Sequence, residues 1–165
     1  MRAVMLATIW LALAGFVVGE AGKATQFRTG VSPRWAWPVW CAGLIACVIH
    51  IAIAMAYHHG GSHASAVMET ARQTEAVYGV SWGGGVLVNY LFVTVWLGEL
   101  VWWRVDPRSY FGQRAWCVWA VRVFYLLIVV NASVIFAAPA RRLAGAAVTA
   151  VLLAVWSRDR GPASN

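Results

Sequence analysis

Read for polar and apolar positions, the chain falls into five apolar stretches separated by connectors that carry most of its arginines. The stretches run from Ala3 to Gly19, Trp35 to Tyr57, Val80 to Trp103, Ala115 to Ala138 and Leu143 to Trp156. Lipid tolerates only backbone that bonds internally, and about 20 apolar residues in helical form cross a bilayer. The middle three stretches meet that length, and the first is slightly short. The fifth would cover only about 21 Å of a core about 30 Å thick, so it either spans with snorkelling arginines at both ends or re-enters. The pattern predicts an all-α, polytopic integral membrane helix bundle of five transmembrane helices. It forms one domain over residues 1–157, followed by a polar tail over 158–165.

The connector from His58 to Gly79 is the only long one. Within it, Val67, Met68 and Ala71 are opposed by Glu69, Arg72, Gln73 and Glu75. That spacing suits a short amphipathic helix over Ala64–Val77 lying on the membrane surface, set off from the preceding stretch by a Gly60-Gly61 turn.

Charge placement predicts an orientation. With the first connector inside, Lys23, Arg28, Arg34, Arg104, Arg108, Arg114, Arg158 and Arg160 face the cytoplasm, and Arg2, Arg72, Arg141 and Arg142 face out. The positive-inside rule then favours the amino terminus out and the carboxyl terminus in. Trp35, Trp37, Trp40, Trp102, Trp103, Trp116, Trp119 and Trp156 all fall at the inner segment ends, and Trp82 marks an outer one. The first stretch also has the look of a secretory leader ending near Gly19-Glu20-Ala21, but cleavage would strand Lys23, Arg28 and Arg34 outside, against the same rule.

Composition narrows the partners. The chain is 61% hydrophobic and 12% charged, where an ordinary globular domain carries roughly a quarter charged residues. The net charge of +7 sits beside apolar stretches, which suits an anionic bilayer surface and not nucleic acid. The expected location is a cell inner membrane of bacterial type. Cys41, Cys47 and Cys117 lie inside apolar stretches with no CxxC, and read as small buried hydrophobes.

Four histidines are the most distinctive chemistry. His58, His59 and His63 fall within six residues at the outer interface, and His50 lies in the second stretch. Neutral imidazoles in such a cluster suit copper or zinc, and Met55, on the same helix face as His59, or Met68 would add a thioether for Cu(I). The commoner reading is that interfacial histidines solvate a helix end. Haem b is a further possibility, with His50 as one axial ligand; the chain has no second histidine at membrane depth to oppose it.

Ionisable residues within lipid are functional suspects. Glu99 and Arg122 lie at similar depth near the inner ends of consecutive antiparallel helices, which predicts a neutralising pair that Glu20 would join. Nearer the outside, His50, Asn89 and Asn131 each lie about 10 Å from a segment end and form a second polar layer, either a ligand site or interhelical hydrogen bonds. The Gly83-Gly84-Gly85 run and Gly15-x-x-x-Gly19 allow close backbone approach, and the latter hints at helix dimerisation. No phosphate loop, GxSxG or dinucleotide fingerprint occurs. The favoured reading is a non-catalytic subunit or assembly partner of a larger membrane complex, with other membrane subunits or further copies of the chain as partners. A copper or haem protein acting at the outer face is the alternative, and a small solute or ion carrier the third reading.

Overall fold

A computed structural model describes residues 2–158 of the chain. The fold is 85% helical, with no strand among the described residues. Its helices are α1 (Arg2–Thr29), α2 (Ala36–His58), α3 (His63–Tyr78), α4 (Gly85–Val105), α5 (Pro107–Phe111), α6 (Ala115–Val130) and α7 (Pro139–Ser157), with a π-helical turn at Asn131–Ile135 continuing α6. Five helices are long and apolar enough to cross a membrane: α1, α2, α4, α6 with its π turn, and α7. This is a multi-pass membrane architecture. The five run alternately between a basic end, where α1 meets α2 and α4 meets α6, and a histidine end, where α2 meets α3.

Three segment bounds differ from the sequence expectation. The first helix does not stop at Gly19; it runs on to Thr29 and is closed by Gly30 at φ 74°, whose N–H bonds to the Gln26 carbonyl. Glu20 and Lys23 therefore lie within the helix, because an i, i+3 ion pair lets both charges stay inside it. The last helix starts at Pro139, a residue suited to a first helical position, and its 19 residues reach about 28 Å, close to a full crossing. The fourth leaves α geometry after Val130, and Pro139 begins the next helix soon after the π turn. A helix forms in the long connector, as α3 over His63–Tyr78. Ser62 caps its start by accepting from the Ser65 N–H, and Gly79 at φ 72° ends it. It turns Ala66 inward, while Met68 faces out.

The closest packing is between α1 and α2. A Cβ on Gly15 would lie 2.6 Å from Gly43 Cα, and Gly19 and Gly22 face Trp40 and Ala36. The GxxxG face is thus filled from within the chain, which removes it as evidence for dimerisation. The glycine run before α4 has a similar role: a Cβ on Gly83 would lie 2.6 Å from the Val67 carbonyl oxygen, so the missing side chain lets α3 settle on the bundle. Gly145 does the same for α7 against Ser133 of the π turn.

Candidate functional site

The core is aromatic and concentrated toward the basic end. Trp40, Trp96, Trp156, Tyr110, Tyr125 and Phe16 are among the most buried large side chains. Sequence position places eight tryptophans at that end, and the structure divides them. Trp35, Trp102, Trp116 and Trp119 face outward, as an interfacial belt requires. Trp40, Trp103 and Trp156 turn inward, and Trp37 is half-buried, its indole N–H donating to the Leu100 carbonyl.

The inward aromatics enclose charge. Glu20 is 0% exposed and Lys23 4%. Lys23 Nζ lies 2.7 Å from Glu20 Oε1 and 3.3 Å from Glu99 Oε2, and sits 4.1 Å from the Trp40 ring centre. Trp156 Nε1 donates to the other Glu20 oxygen at 2.9 Å. Tyr110 and Tyr125 donate to the two Glu99 oxygens at 2.8 and 2.7 Å. Every oxygen of both carboxylates therefore accepts a hydrogen bond, which is the condition for holding charge out of water. The bonds tie α1 to α4 and α7, and α4 to α5 and α6. Burial, with the Glu99 and Glu20 carboxylates beside it, pushes the Tyr110 phenol well above its ordinary range, so it stays a donor.

Lys23 was expected in a water-facing connector, and the neutralising partner of Glu99 was expected to be Arg122. Lys23 instead supplies the ion pair to Glu99, because α1 continues past Gly19 and brings it to that depth. Arg122 does reach the cage. It is 3% exposed, its guanidinium lies 5.3 Å from the Trp119 ring, and with Lys23, Glu99 and both tyrosines it lines a cavity of about 10 Å³, about one water in size. Glu20 joins Glu99 through Lys23. Tyr110 and Tyr125 were not singled out from sequence, and Trp156 was expected only as part of the interfacial belt. Asp106-Pro107 is the signal for α5, since Asp106 accepts from the Ser109 N–H and Pro107 opens the helix that carries Tyr110.

Toward the histidine end, Phe16, Phe92 and Trp96 stack edge to face or tilted beneath the cage. Beyond them the expected polar layer splits. His50 Nδ1 lies 3.2 Å from Thr8 Oγ1 and 3.1 Å from the Met5 carbonyl, which ties α2 to α1. Asn89 and Asn131 line a separate half-open pocket of about 530 Å³ between α3, α4 and the π turn. There the Tyr78 hydroxyl donates to Asn131 Oδ1 at 2.9 Å, and Asn131 Nδ2 donates to the Leu127 carbonyl at 2.7 Å.

The three loop histidines do not share a centre. His58 and His59 border one polar hollow with Glu69 and Arg72, whereas His63 stacks on Tyr90 with ring centres 5.8 Å apart. Among the described residues, no group of three or more His, Cys, Asp or Glu is placed to hold a metal ion. His50 Nδ1 is engaged by Thr8 and Met5 of α1. No protein-family model, curated protein or solved structure matches this chain.

Proposed function

We propose that this chain is a non-catalytic subunit or assembly partner of a larger complex in a bacterial-type inner membrane, with its basic end toward the cytoplasm. The observation that carries the reading is the closed character of the cage. Both oxygens of Glu20 and of Glu99 accept from side chains of the same bundle, and the cavity beside them, about 10 Å³, has room for about one water and not for a substrate. Only 17–28% of each span's most apolar window is buried within the chain, which leaves long helix faces for lipid or for neighbouring helices. A carrier reading draws no support from a charged cluster confined to one end beneath an aromatic layer. The copper or haem reading draws none from histidines that go to different partners.

The test is extraction at native abundance in a mild detergent, followed by cross-linking and sizing. The expected result is a particle several times the 18.0 kDa of the chain, with cross-links from the outward faces of α4 and α6 to other polypeptides. Recovery of the chain as a monomer without cross-linked neighbours overturns the proposal. Single cysteines at Gly60 and Gln113, labelled from either side of sealed vesicles, are expected to react from opposite faces, with Gln113 on the cytoplasmic one.

A further inference from the structure

The pocket between α3, α4 and the π turn holds about 530 Å³, and none of its described lining side chains is charged. Its polar groups are carboxamides and hydroxyls, and its walls are Val80, Trp82, Val88, Ile128 and Phe136. Asn89 lies four residues inside the start of α4, about 6 Å along the helix, at a depth where polar groups need partners. Its carboxamide is exposed and makes no hydrogen bond to the described residues. Asn131 across the pocket uses one amide hydrogen on Leu127 and its oxygen on Tyr78, which leaves the second amide hydrogen for an acceptor. The π turn starts at this residue: the Phe136 N–H returns to the Asn131 carbonyl at 2.9 Å. π-Helical turns recur at functional sites.

We propose that this pocket binds a neutral amphiphile of the bilayer, with a carbonyl- or hydroxyl-bearing head on Asn89 and Asn131 and an apolar body along Trp82, Ile128 and Phe136. The absence of lining charge disfavours a phosphate or ammonium head, which would enter without a counter-ion. The depth of Asn89 and the apolar walls favour a ligand arriving from lipid and not from water. The volume falls within the range of sites that enclose small organic molecules, about 300–1,000 Å³. This site is independent of the assembly reading, since a single chain supplies all of it.

The experiment uses the full chain in phosphatidylcholine nanodiscs and a monoacylglycerol with a photoreactive diazirine in its tail. Cross-links are expected to concentrate on residues 70–90 and 128–136. The same tail on a phosphocholine head is expected to label them far less. Asn89→Leu with Asn131→Leu is expected to lower labelling about tenfold, the equivalent of two membrane hydrogen bonds. Ile128→Trp fills the cavity without removing a polar group; it is expected to abolish labelling while keeping the native unfolding midpoint. Equal labelling by both heads, or undiminished labelling in the Ile128→Trp variant, overturns the proposal. Displacement of the probe by glyceryl monoacetate, which has no anchoring tail, would assign the site to a water-borne ligand and also overturn it.

Discussion

The two ends of the bundle solve the same problem in opposite ways. Each places several polar side chains within reach of lipid. At the basic end Glu20, Lys23 and Glu99 are enclosed by Trp40, Tyr110, Tyr125 and Trp156, and each carboxylate oxygen is bonded from within the chain. At the histidine end Asn89 and Asn131 border an open pocket, and Asn89 keeps its full bonding capacity. A closed network of charge fixes the positions of helices, because removing any member strands the rest. An open set of neutral amides costs less to hold and leaves bonding capacity for something else.

The sharpest way to break this contrast is Lys23→Met. It leaves Glu20 and Glu99 facing each other with their shared cation gone, and breaking one partner of a buried pair costs about 3–5 kcal/mol. Unfolding in mixed micelles is expected to show a loss of that order. A loss below about 1 kcal/mol would mean that water reaches the cage and screens it. Next in size is Tyr110→Phe, which removes a hydrogen bond to a charged acceptor and is expected to cost about 1.5–3 kcal/mol. It also alters the alkaline limb. Because the folded phenol is harder to ionise than the unfolded one, its contribution is complete below the ordinary tyrosine pKa of 10.0 and is lost as pH rises beyond it. Stability profiles from pH 8 upward are therefore expected to fall less steeply for Tyr110→Phe than for the native chain.

Much of the closed end was legible in the sequence, and the part that was not has a definite cause. Glu99 and Arg122 were visible as charges inside apolar stretches, at a shared depth that followed from counting helical rise, and Glu20 as a charge at the end of the first stretch that could join them. Lys23 was misplaced because a glycine and two charges at 19–23 resemble the end of a span, whereas the i, i+3 pair lets α1 continue. The tryptophans marked the correct end, but the aromatic-belt rule cannot separate Trp116, which is 66% exposed, from Trp156 at 1%. That division depends on which helix faces meet. The open end was read less well. Depth alone grouped His50 with Asn89 and Asn131, but rotation about the helix axis sends His50 to α1 and the two asparagines to the pocket. The π turn had no local signature in composition or periodicity.

A smaller effect sharpens the contrast from the open side. Tyr78→Phe removes the hydroxyl that meets Asn131 Oδ1. Interhelical hydrogen bonds in membrane proteins average about 0.6 kcal/mol and reach about 1.7. A loss in that interval is expected in the same mixed-micelle unfolding, well below the value for Lys23→Met. A loss equal to that of Lys23→Met would show that the histidine end is as tightly determined as the cage.

The smallest expected change is the most discriminating. Asn89→Leu replaces a carboxamide that has no partner among the described residues with a side chain of similar volume, a better helix former and a better solute in hydrocarbon. If the fold needed Asn89, the substitution would weaken it. An uncommitted amide facing a pocket predicts no loss, or a gain of up to about 1 kcal/mol, measured by the unfolding midpoint in empty micelles. The same variant in native membrane extract is expected to lose that advantage, because the native chain there is stabilised by whatever bonds to Asn89, through the usual dependence of stability on bound ligand. A variant more stable than the native chain in micelles and not in the membrane separates a residue kept for binding from one kept for folding. Equal behaviour in both media would place Asn89 with the helix-fixing residues of the opposite end.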